Sequence, residues 1–148
     1  MVLVAIASAL LGGYVVAWRG GRAQGVVDQR GTQQSLQGTW VVISGEMDGR
    51  DVPVVDGPVR WLIEGDTIRI VRPDGAGDEA KFVVDASNSS IDLASPKDSP
   101  YRGRVVPGVY RLDGDRLAIC LDNSCKRRPP KLEARSGTKD YLTTLRRE

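Results

Sequence analysis

From Thr39 to Arg147 the chain alternates apolar and polar residues in short runs, broken by turn residues every 8 to 14 positions. Runs of period two are half-buried strands of an antiparallel sandwich or barrel, and no stretch keeps a helical period for long. Strands are predicted at 39–46 (TWVVISGE), 58–64 (PVRWLIE), 67–72 (TIRIVR), 80–85 (AKFVVD), 89–94 (SSIDLA), 104–112 (RVVPGVYRL), 115–121 (DRLAICL) and 140–147 (DYLTTLRR). Two turns echo each other, Glu64-Gly65-Asp66-Thr67 and Asp113-Gly114-Asp115-Arg116. The glycine at each apex supplies the positive φ of a tight hairpin, so the flanking strands are expected to be antiparallel neighbours in a meander. Alternation sends Trp40, Val42, Val59, Trp61, Ile63, Ile68, Ile70, Phe82, Val84, Ile91, Leu93, Tyr110, Leu112, Leu117, Ile119 and Leu121 to the inner faces. Eight strands suffice to close a barrel, which removes sheet edges and leaves an interior that is either filled or holds one small ligand.

Ahead of this pattern Val2 to Trp18, VLVAIASALLGGYVVAW, runs for 17 residues without a charge. As a helix it spans roughly 25 Å at about 1.5 Å per residue, slightly less than a bilayer core of about 30 Å. It offers no polar face to water, which favours membrane targeting over a buried core helix. Two readings stay open: a cleaved signal ending near Gly21-Arg22-Ala23, or a retained anchor holding the chain to a membrane through 2–18. The positive flank, Arg19 and Arg22, follows the segment. By the positive-inside rule that placement conflicts with an exported domain unless a basic region lies further upstream. The expected organisation is a signal peptide or N-terminal membrane anchor over 1–23, a polar glycine-rich linker over 24–35 and one folded domain over 36–148. The expected location is extracytoplasmic: periplasmic, secreted or membrane-anchored.

The chain has no histidine, which removes the commonest general base and every histidine-bearing metal site. Arg19, Arg22 and Arg30 against Asp28 account for the first 35 residues and leave the remainder neutral. Basic residues gather late, from Lys126, Arg127 and Arg128 to Arg146 and Arg147, with Tyr141 the one aromatic nearby. Nucleic-acid modules add stacking platforms to such charge, so no nucleic-acid partner is expected and the charges are read as solvated loop and strand ends. Glu64, Asp66, Asp113 and Asp115 sit in turns, and Asp113 with Asp115 falls well short of the oxygens that calcium takes. No base frames Ser44 or Ser95. Neither catalytic residues, nor a metal, nor a cofactor is expected, and the protein is not read as an enzyme. Cys120 and Cys125 enclose Leu-Asp-Asn-Ser; a hairpin there would set them opposite each other, and a local disulfide worth about 2 kcal/mol is expected, with two free thiols as the alternative.

Gly38-Thr39-Trp40 at the start of the first strand, eight short strands in a meander and a basic residue in the last strand together resemble the lipocalin and lipocalin-like superfamily. By that resemblance Trp40 packs across the closed end of the barrel and Arg146 or Arg147 stacks on it. The stretches LQGTWVVISGEMDGRDVP, GDTIRI, IDL, GVYRLDGDRLAICL, RRPPKLEARSG and LTTLRRE, over roughly 36–148, are similar to an uncharacterised lipocalin-like domain family of planctomycetes. That likeness implies a fold and an extracytoplasmic habit and assigns no activity. The expected fold is all-β, an eight-stranded antiparallel up-and-down lipocalin-like β-barrel preceded by an N-terminal hydrophobic helix. The expected function is to hold a small hydrophobic ligand against Trp61, Ile63, Phe82, Val84, Tyr110 and Ile119. The alternative is a filled barrel serving as a membrane-tethered structural or interaction module, which meets an envelope protein through 94–104 or 126–135.

Overall fold

A computed structural model describes residues 5–6, 14–19, 22–54 and 56–148, with side chains from residue 30 onward except at 55. Three short strands come first, β1 (Ala5–Ile6), β2 (Tyr14–Arg19) and β3 (Arg22–Asp28), paired antiparallel in that order. The hydrophobic helix expected before the barrel is therefore not supported. Tyr14-Val15-Val16 and Trp18 are β-branched and aromatic residues that favour a pleated backbone, and 2–4 and 7–13 of the expected helix lie outside the described residues. Among the described residues, no helix is long and apolar enough to cross a membrane. The expected linker also holds regular structure: β3 is followed by helix α1 (Gln29–Ser35).

Then come β4 (Gly38–Met47), β5 (Arg50–Val52), β6 (Arg60–Glu64), β7 (Thr67–Val71), β8 (Gly77–Asp85), β9 (Ser90–Ala94), β10 (Val105–Asp113), β11 (Arg116–Asp122) and β12 (Asp140–Arg147). Each of the predicted strands corresponds to one of these, and β5 is additional. β6 to β12 form a meander, every strand pairing its chain neighbour, and β4 pairs β6 on one side and β12 on the other. An eight-stranded antiparallel barrel is thereby closed. Only the lower part of β4, Gly38 to Val41, pairs β6; its upper part, Gly45 to Met47, pairs β5 instead. The β4–β5 turn has Asp48 at φ 54° and Gly49 at φ 70°, two successive positive values as a two-residue hairpin of right-handed twist requires.

β4 carries a β-bulge. Thr144 faces Ser44 while Leu145 faces Val42, so Ile43 is the extra residue. A bulge shifts which side chains face inward: Trp40 and Val42 point in below it, and Gly45 is the buried position above it. The core gathers Leu36, Trp40, Ile63, Ile68, Phe82, Ile91, Tyr110, Leu117, Ile119 and Leu145 among its members. Leu36, which follows α1, contributes from outside the predicted strands, and its carbonyl accepts the Trp40 indole N–H at 2.9 Å. Gln37 ties the same end to the β6–β7 turn, its Oε1 accepting from Gly65 N at 2.6 Å.

Candidate ligand cavity

The antiparallel order sets all strands between two ends. At one end lie α1, the turns at Gly65 and Gly114, and Trp40. There Arg147 stacks on Trp40, its guanidinium carbon 4.2 Å from the ring centroid. The same guanidinium donates to Gln37 O at 2.7 Å and to Ser35 O at 2.8 Å. Arg147 thus joins the last strand, the floor tryptophan and the segment behind α1. Arg146, the other candidate, is exposed on the outer face.

The opposite end is a cup of about 680 Å³. Its walls are Val42, Val59, Trp61, Ile68, Ile70, Leu93, Val106 and Leu121, with Tyr141 and Thr143 from β12. Of the six residues proposed from sequence as ligand contacts, only Trp61 lines this cup. Ile63, Phe82, Val84, Tyr110 and Ile119 are buried in the packed half beneath it. All six do point inward. Alternation fixes the face of a strand, whereas height along the barrel axis depends on stagger and on where large side chains meet.

Thr143 and Tyr141, which line the cup, and Gly45 beside them are not among the ligand contacts expected from the sequence. Thr143 is 1% exposed, and its Oγ1 is buried with no hydrogen-bond partner among the described residues. It stands between Gly45 on β4 and Ile119 on β11. The Tyr141 ring lies across Gly45: a Cβ there would come within 2.6 Å of its hydroxyl. Burial pushes the Tyr141 phenol up, with a partial offset from the nearby Thr143 hydroxyl; that approach does not reach hydrogen-bond geometry at Thr143 Oγ1. A glycine interrupting a strand pattern, as in ISGEM, signals such a close approach.

The rim carries charge. Asp56, Asp74, Asp78 and Glu79 line it together with Arg72, which pairs with Asp78. Tyr101 closes another side, its hydroxyl donating to Asn123 Oδ1 at 3.2 Å. Burial pushes this phenol up, and the negative charge of Asp78 adds to the effect.

The long β11–β12 connection, 123–139, runs against the outside of the barrel. Asp122, 2% exposed, organises its start: one carboxylate oxygen accepts from Ser124 N and Oγ, the other from Lys126 N at 3.0 Å and Arg127 N at 2.9 Å. Burial works against this charge, but the Ser124 hydroxyl and the three N–H groups outweigh it and hold the carboxyl below its ordinary range. Further along, Arg128 donates to Gly108 O at 2.7 Å and lies 2.8 Å from Asp92. Arg135 pairs with buried Asp140 at 2.9 Å, and Lys131 with Glu133. Part of the basic 126–135 stretch is thus spent on holding this segment in place.

The expected disulfide is not found: Cys120 and Cys125 are free. Cys120 lies between inward Ile119 and Leu121, so its side chain faces the opposite way, under the connection, with Sγ 3.5 Å from Glu133 O. Cys125 packs against the interior cluster. The turn after Asp122 is held by that carboxylate and does not continue β11 into a hairpin, so the two thiols stand on different faces of the strand wall. Among the described residues, no three metal-ligating side chains are grouped to hold an ion.

The fold and cavity define a class: a closed antiparallel eight-stranded barrel, filled below and open above. No protein family matches the chain, and no curated protein matches it either. The barrel does not by itself identify the planctomycete lipocalin-like family that the short motifs resemble.

Proposed function

We propose that this protein is a non-enzymatic binding module that holds a small hydrophobic ligand in the upper half of its barrel. The observation that carries the reading is the cup of about 680 Å³, walled by aliphatic side chains and Trp61. Pockets of this size and character are where small molecules bind. Each 100 Å² of apolar ligand surface removed from water contributes about 2.5 kcal/mol. A ligand that fills the cup therefore reaches roughly micromolar affinity once the cost of association is met. The proposal includes export, supported by the uncharged run from Val2 to Trp18.

The test is a thermal-shift and tryptophan-fluorescence screen with neutral apolar probes, run beside Ala80→Phe, which places a ring where Ala80 lines the cup. Saturable binding that raises Tm and disappears in the variant supports the reading. An absence of saturable binding to the unmodified protein ends it.

A further inference from the structure

We propose that the ligand carries one uncharged hydrogen-bonding group, and that Thr143 and Tyr141 receive that group on the β12 wall of the cup. The inference rests on the binding reading above and adds the chemistry of the ligand to it.

Thr143 Oγ1 is the starting observation. It is buried, it has no hydrogen-bond partner among the described residues, and its residue lines the cavity. A buried hydroxyl left unpaired destabilises a fold, and a valine would fill nearly the same space without that penalty. An unpaired buried polar group in a native fold calls for an explanation, and use by a ligand is one. Gly45 and Ile119 flank Thr143 across the sheet and neither offers a side-chain hydrogen bond; the Tyr141 hydroxyl is the polar group nearby.

Tyr141 is the second, separate observation. Its ring occupies space that only a glycine at 45 leaves, and that glycine faces inward because of the bulge below it. Two hydroxyls from one strand therefore stand together in a wall that also holds Val42, Val59, Ile70, Leu93 and Val106. Each hydroxyl can donate and accept, so an alcohol, a ketone or an amide oxygen would satisfy them.

Charge narrows the class. Among the described residues, Arg72 is the one cation that lines the cup and Asp78 already engages it, while Asp56, Asp74 and Glu79 share the rim. A carboxylate would pass like charges on the way in and meet no counter-ion beside Thr143, where desolvation is expensive. The group reaching Thr143 is therefore neutral.

The experiment uses the full chain and matched eight-carbon probes, 1-octanol and octanoate at pH 8, with butylbenzene as an apolar molecule that has no polar end. Thr143→Val and Tyr141→Phe are near-isosteric and are compared with the unmodified protein. Octanol is expected to bind about tenfold or more tighter than octanoate, and Thr143→Val to weaken octanol about fivefold or more while leaving butylbenzene unchanged. The same variant, without ligand, should have a raised Tm, because an unpaired hydroxyl has been removed. Tyr141→Phe should reduce the octanol preference in the same direction. If butylbenzene binds and both variants leave the octanol preference intact, or if Thr143→Val lowers Tm, the polar anchor is overturned while the binding module stands. If none of the probes binds the unmodified protein, the binding reading falls and this inference with it.

Discussion

At the scale of single residues, Arg147 does the work of several contacts at once: it covers the Trp40 ring and holds the carbonyls of Ser35 and Gln37. Arg147→Ala is expected to destabilise by about 2–3 kcal/mol in urea unfolding, and exposed Arg146→Ala by less than about 0.5 kcal/mol. Gly45 has an equally local role. Gly45→Ala forces the Tyr141 ring to move, at about 1–3 kcal/mol. Part of that cost should vanish in a Tyr141→Phe background, because the hydroxyl is the nearest clashing group; equal costs in both backgrounds would contradict the contact. The cysteines give a chemical prediction. Burial pushes the Cys120 thiol up to about 11 and raises the Cys125 thiol as well, but Cys120 is fully buried while Cys125 is partly exposed. At pH 8 an alkylating reagent should add to Cys125 in the native protein and to both thiols in urea without prior reduction. No addition before reduction would restore the disulfide.

At the scale of elements, two segments without alternation shape the molecule. Helix α1 and Leu36 close the floor, and the 123–139 connection grips β9 to β12 from outside through Asp122, Arg128 and Arg135. The Asp122 carboxyl titrates below its unfolded value of about 3.9. Its stabilisation is therefore complete above that pH and is lost as pH falls below about 4, through the folded value. Asp122→Asn keeps fewer of the accepted hydrogen bonds; it should cost about 1–3 kcal/mol at pH 7 and flatten the loss of stability between pH 4 and pH 2. Urea unfolding of both proteins across that range checks the slope. These two segments were also the least legible in the sequence. The barrel strands announce themselves by period-two runs ending at Gly65 and Gly114. A turn held by Asp122 has no periodic signature, and its carboxylate reads as one more polar loop residue. For the same reason Cys125 looked like a hairpin partner of Cys120.

At the scale of the whole molecule, the barrel is asymmetric along its axis. Substitutions should report this: Phe82→Ala or Ile119→Ala, in the packed half, is expected to cost about 3–5 kcal/mol, whereas Val59→Ala, beside the cup, costs about 1 kcal/mol because that side chain has fewer neighbours to lose. Calorimetry on the three variants distinguishes a half-filled barrel from one packed throughout. The inward set was readable from alternation, but its division between floor and cup was not. That division is set by Trp40, Leu36 and Arg147 gathering at one end and by the bulge at Ile43 turning small Gly45 inward at the other. Closure of β12 on β4 has a mechanical consequence. Arg147 faces Trp40 in the pairing, and Glu148 N donates to Thr39 O at 3.0 Å, so the two ends of this seam lie side by side. Their ladder bonds run perpendicular to the strands. A stretching force applied between residue 36 and Glu148 would therefore load those bonds one at a time, starting beneath Trp40, and peel the barrel open at low force whatever its resistance to heat.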